Sequence, residues 1–98
     1  MPVVEFTGST YTSLFKFSAT VDPANHTAVA SVDTDVTSAL VKSGDTVLVV
    51  PPSTLEAGIA VQGCHTVIDG AFKLRTTNAS AGAINPASAS WTFVVLRH

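Results

Sequence analysis

Charge is scarce in this chain: Asp, Glu, Lys and Arg make up 12% of its 98 residues, against 46% hydrophobic residues. That charged share is about half the usual one, too little to wet every surface of a small domain, so some apolar surface is expected to meet a partner. The five basic residues, Lys16, Lys42, Lys73, Arg75 and Arg97, are scattered, and the net charge is -2. A nucleic-acid partner, which needs a basic stripe, is therefore not expected. Cysteine is nearly absent. Cys64 stands alone, which excludes an internal disulfide framework and a cysteine-built zinc centre, so the fold must rest on packing or on assembly. Long hydrophobic runs are missing as well: nothing approaches the roughly 20 residues of a membrane span, and no membrane partner is expected. Met1-Pro2-Val3-Val4-Glu5-Phe6 has neither the basic start nor the long apolar stretch of a signal peptide, so synthesis in the cytoplasm is expected. In that compartment the sequons Asn25-His26-Thr27 and Asn78-Ala79-Ser80 are chance matches.

Helical periodicity is also lacking, and strand periodicity takes its place. Residues 1–11 read as an N-terminal arm or edge strand that carries Val3, Val4, Phe6 and Tyr11, ahead of a single domain over 12–98. From Thr12 to Val21 the residues alternate, with Phe15, Phe17, Ala19 and Val21 on one face and Lys16, Ser18 and Thr20 on the other. Asp22-Pro23-Ala24-Asn25 supplies a turn. A second alternation sets Ala28, Ala30, Val32, Thr34 and Val36 against Ser31, Asp33 and Asp35. After the turn Lys42-Ser43-Gly44-Asp45, the run Thr46-Val47-Leu48-Val49-Val50 is apolar on both faces, which predicts a strand covered on both sides or placed at the centre of a packed assembly. Pro51-Pro52 ends it, because two prolines remove two ladder donors. Ser53-Thr54-Leu55-Glu56 imitates a capping box, but Gly58 and the β-branched residues after it leave only a loop.

Strands over 59–67 and 71–77 are joined by Ile68-Asp69-Gly70, a strong hairpin signal, with Phe72, Leu74 and Thr76 opposite Lys73 and Arg75. Residues 78–90 are small and polar apart from Ile84 and form the longest loop. Trp91 to Leu96 closes the domain as a second doubly apolar, interior strand. Six such strands with turn signals between them predict an all-β fold, a small antiparallel β-sandwich of six to seven strands. The choice between jelly-roll-like and Ig-like topology stays open.

Chemistry is hard to find. Cys64 and His65 are adjacent on a strand and point to opposite faces, so they do not form a nucleophile–base pair. Asp33 and Asp35 share a face about 6 to 7 Å apart, a spacing that suits a carboxylate pair or weak calcium site and equally a solvated acidic face, which is the reading taken. His26, in a turn, and the terminal His98 have no predictable metal partner. No catalytic, cofactor or metal residues are assigned. An enzyme would require Asp33, Asp35 or His65 to converge in a cleft. A sugar-binding platform would require Trp91, with Tyr11, to be exposed beside polar groups.

The strings Gly44-Asp45-Thr46-Val47-Leu48-Val49-Val50-Pro51-Pro52, Leu55-Glu56-Ala57-Gly58-Ile59-Ala60-Val61, Ala83-Ile84-Asn85-Pro86-Ala87 and Trp91-Thr92-Phe93-Val94-Val95-Leu96-Arg97 resemble small tailed-bacteriophage proteins of the capsid decoration or cement type. The likeness covers residues 20–97; the arm has no counterpart in it. It implies a β-sandwich on the outer surface of the phage head, self-associated as a homotrimer or homodimer and bound to the major capsid protein, with no enzymatic role and no cofactor. Val3, Val4, Phe6, Tyr11 and Ile84 are then the expected interface residues. A receptor- or carbohydrate-binding module of a tail or fibre is the alternative.

Overall fold

The computed structural model describes residues 13–98. The arm and its candidates Val3, Val4, Phe6 and Tyr11 lie outside the described residues. Six strands follow one another: β1 (Ser13–Val21), β2 (Ser31–Thr37), β3 (Thr46–Val50), β4 (Ile59–Ile68), β5 (Ala71–Asn78) and β6 (Ala89–Arg97). They form two antiparallel three-stranded sheets, ordered β1-β6-β3 and β2-β5-β4, packed as a β-sandwich. Only β4 and β5 are joined as a hairpin within one sheet, across Asp69-Gly70, where Gly70 takes the positive φ of +83° that a tight turn of this kind demands. The other connections cross between sheets. As a result β3 lies beside β4 along one open side of the sandwich and β1 beside β2 along the other.

The alternation read from the sequence sets which side chains enter the core. Phe15, Phe17, Ala19 and Val21 of β1 face inward, as do Trp91, Phe93 and Val95 of β6; Phe72 and Leu74 come from β5 and Val36 from β2. Phe72 meets Phe93 edge-on across the two sheets at 5.0 Å between ring centroids, and Phe17 stacks beside Phe93 at 5.5 Å. Phe72 and Phe93 are fully buried and each contributes roughly 1.5–3 kcal/mol of transfer free energy, to which the edge-on geometry adds, while Phe17 is partly buried against them.

The sequence reading of β3 needs correction. This strand is not interior but the edge of its sheet, and Leu48 and Val50 are 51% and 52% exposed. Its doubly apolar pattern arises because Val47 and Val49 pack inward while Leu48 and Val50 stand on an outer face that no other layer of the described chain covers. β6 is central in its sheet as expected, yet its outward residues Thr92, Val94 and Leu96 are only half-buried. β4, the edge of the other sheet, carries two register irregularities, at Gln62 and at Thr66-Val67. They are β-bulges, with Gly63 at φ +129° and Thr66 at φ +52°.

The same substitution on the two kinds of position tests this placement. Val95→Thr buries an unpartnered hydroxyl and is expected to lower the unfolding free energy by about 1–3 kcal/mol, whereas Val50→Thr changes it by less than about 0.5 kcal/mol, both measured by urea denaturation of dilute protein.

Candidate functional site

A sandwich of two sheets leaves two outer faces, and here they differ in kind. On the β2-β5-β4 sheet, antiparallel register places Asp35, Lys73 and His65 in one row, Asp33 and Arg75 in the next, and Ser31 and Thr77 in a third. The charges are matched in place. Arg75 donates to both oxygens of Asp33, Nε at 2.8 Å and Nη2 at 3.1 Å, and Lys73 Nζ donates to Asp35 at 2.6 Å. His65 Nε2 lies 3.1 Å from Asp33 and its Nδ1 lies 2.8 Å from Thr66 Oγ1. Ser31 and Gln62 both hydrogen-bond Thr77. The Arg75 guanidinium, with His65 beside it, holds the Asp33 carboxyl well below the usual carboxylate range.

Asp33 and His65 therefore do meet, while Asp35 turns to Lys73. The contact is a cross-strand ion-pair network on an exposed face, and the charge of Asp33 is already matched by Arg75. Cys64 points the other way, toward the core, and burial pushes its thiol up to about 11, which leaves it protonated at neutral pH. Among the described residues no three His, Cys, Asp or Glu side chains converge on one point. Trp91 is 1% exposed and lies within the core, so it offers no stacking platform.

The outer face of the β1-β6-β3 sheet is different. Its rows are Leu14, Leu96 and Thr46; Lys16, Val94 and Leu48; and Ser18, Thr92 and Val50. Leu14 is 68% exposed, and with Leu48, Val50, Val94 and Leu96 it forms a continuous apolar surface with one charged side chain, Lys16, in these rows. Sequence reasoning did not single out these five residues. Their signal was present in the double apolarity of 46–50 and 91–96, but it was assigned to burial. The face adjoins an apolar groove of about 310 Å³ at the open side of the sandwich, lined by Val47, Val49, Pro51 and Val61 among others.

Ile84, the one interface candidate within the described residues, is half-buried and integrated into its loop. Its backbone forms a two-bond bridge with His26, and its Cδ1 lies 3.0 Å from where a Cβ on Gly58 would stand, which with φ +94° explains glycine there. His26, read as a turn residue, is instead fully buried, with Nε2 2.7 Å from Thr76 Oγ1. Asn78 closes the same end. Its side-chain amide donates to the carbonyls of His26, Thr27 and Gly82, and its oxygen accepts from the Ser80 backbone N–H and hydroxyl. The loop after β5 is thus ordered by these side-chain bonds together with the His26–Ile84 backbone bridge.

At the opposite end Arg97 clamps the turn before β3. Its Nε and Nη2 donate to the two oxygens of the buried Asp45 at 3.0 and 2.8 Å, Nη2 also donates to the Leu40 carbonyl, and the guanidinium lies 5.2 Å from the centre of the Phe15 ring. The Lys42 N–H donates to the same carboxylate. No protein-family model matches the chain, and no curated protein or solved structure matches it either.

Arg97 lowers the Asp45 carboxyl below its ordinary 3.8. A depressed folded-state value means that the clamp's stabilisation is complete above the unfolded pKa of about 4 and is lost as pH falls through the folded value. The unfolding free energy should therefore fall as pH drops below about 4, and Asp45→Asn should flatten part of that slope, as read from urea midpoints across pH.

Proposed function

We propose that this protein is a structural binding module of the capsid decoration or cement kind, which docks the outer face of its β1-β6-β3 sheet on the surface of a phage head and bridges neighbouring major-capsid subunits. The observation that carries the reading is the contrast between the two outer faces. One face pairs nearly every charge it holds within itself. The other displays Leu14, Leu48 and Val50 at half exposure or more, with Val94 and Leu96 between them. Exposed apolar residues set side by side on a sheet are what a partner surface removes from water.

A protein in this role needs no reaction centre. Many copies on one lattice act together, so each contact is modest and the sum still reinforces the shell. The ion-paired face would then remain toward solvent, where its opposed charges keep the decorated particle wetted. The N-terminal residues Val3, Val4, Phe6 and Tyr11 and the loop residue Ile84 are proposed as secondary contacts. The burial of Trp91 weighs against the sugar-binding alternative in the form that depends on that ring.

Co-sedimentation with undecorated heads tests the face. Leu14→Glu and Val94→Glu should each weaken binding at least about tenfold, because an unpaired carboxylate in a dry contact costs more than the ~1.4 kcal/mol that a tenfold change represents. Thr37→Glu, which puts the same charge on the opposite sheet, should leave binding unchanged. Equal loss from all three variants, or from Thr37→Glu alone, would exclude the β1-β6-β3 face as the docking surface.

A further inference from the structure

We infer that two copies of this chain pair edge to edge through β3, antiparallel and centred on Leu48, so that their β1-β6-β3 sheets become one six-stranded sheet with a single continuous apolar outer face. The two sheets have four edge strands, β1, β3, β2 and β4. An edge strand offers unpaired N–H and C=O groups, and proteins that avoid edge pairing blunt such strands with charge, bulges or proline. β2 carries Asp33 and Asp35 along its length, and β4 is broken by two bulges with Gly63 and Thr66 at positive φ. β1 bears Lys16 near its middle. β3 is short and ends at Pro51-Pro52, but between its ends it carries neither charge nor bulge: Thr46-Val47-Leu48-Val49-Val50 is uncharged, regular in register, and apolar on both faces.

The edge is also bounded in a way that selects a register. Pro51 and Pro52 have no N–H to donate and stop it after Val50, and the turn clamped by Asp45 and Arg97 stops it before Thr46. Five residues paired antiparallel about a twofold axis set Leu48 opposite its own copy, Val47 opposite Val49, and Thr46 opposite Val50. Directly opposed residues share a face. Leu48, Val50 and Thr46 of both copies therefore continue the outer apolar surface, while Val47 and Val49 line the adjoining groove from both sides. With no charge on the strand, twofold symmetry brings no like charges together.

The pairing also doubles the outer face. A three-stranded face about 14 Å wide and 30 Å long offers roughly 400 Å². A standard protein interface takes about 800 Å² from each partner. One copy's face is half of that, and two copies joined at β3 make it whole. This deepens the docking-face reading and rests on it for the use of the enlarged face; the pairing itself is tested without any shell.

The full chain is followed by sedimentation velocity from about 10 µM to 1 mM, since an edge contact of five residues is expected to be weak. The wild type should shift from 10.1 kDa toward twice that mass as concentration rises. Leu48→Lys and Leu48→Glu, each checked for folding by circular dichroism, should each raise the dissociation constant at least about tenfold, and their equimolar mixture should recover the dimer because the opposed pair is then of opposite charge. A milder variant, Leu48→Cys with Cys64→Ser, should be trapped as a disulfide dimer on oxidation, because directly opposed strand residues lie within disulfide range. A wild type that stays monomeric at 1 mM would overturn the pairing. So would a dimer untouched by both charged variants, or a cysteine variant that oxidation leaves monomeric. If the dimer fails while heads are still bound, the docking face stands without the pairing; if the dimer forms and heads are ignored, the reverse holds.

Discussion

The contact between Phe72 of one sheet and Phe93 of the other is the constraint on which the rest of the molecule depends. With Phe17 beside Phe93 and Trp91 buried in the same core, it supplies most of the aromatic bulk between the two sheets. A sandwich of three strands on three can cover only its two inner faces, and a chain of 98 residues has no third layer among its described residues. What the two outer faces carry is therefore fixed by the outward residues of six strands. The chain uses one set for matched charges and leaves the other apolar. Both ends are closed by polar side chains reaching across the fold, Asn78 and His26 at one and Asp45 with Arg97 at the other. Sheet edges and an outer face are thereby left as the surfaces available to a partner.

Much of this was legible in the sequence. The alternation in 13–21 and 31–37, the Asp69-Gly70 turn and the opposition of Phe72 and Leu74 to Lys73 and Arg75 follow from a two-residue period, and the strands fall where that period puts them. The position of the run 46–50 was not legible. A strand apolar on both faces reports two apolar faces, but not whether a layer of the same chain covers the second. Leu48 and Val50 are outward on an edge because β6 pairs with β3 on one side only. That is a matter of strand order, and no local pattern encodes it. His26 was hidden for a related reason: its neighbours Asn25 and Thr27 spell a turn, while Thr76 and Ile84, which bury it, lie 50 and more residues away. The partnership of Asp45 with Arg97 spans 52 residues and was equally out of reach.

The two outer faces also explain how a chain so poor in charge stays wetted on one side. Asp33, Asp35, Lys73, Arg75 and His65 concentrate on the β2-β5-β4 sheet and neutralise one another across strands. Exposed pairs of this kind add little to stability. Their value lies in keeping that face in water and unattractive to another sheet. The opposite face gains nothing from exposure and loses free energy for each apolar residue left in water, which is the physical case for a partner there.

Hydrogen exchange of the protein mixed with undecorated phage heads against the free protein, resolved by peptide, tests the proposed docking face most directly. If the β1-β6-β3 face is the docking surface, amides in 46–50 and 90–96 slow on binding to heads while those in 31–37 and 71–77 keep their free rates. Protection confined to 31–37 and 71–77 would place the contact on the ion-paired sheet and contradict the account.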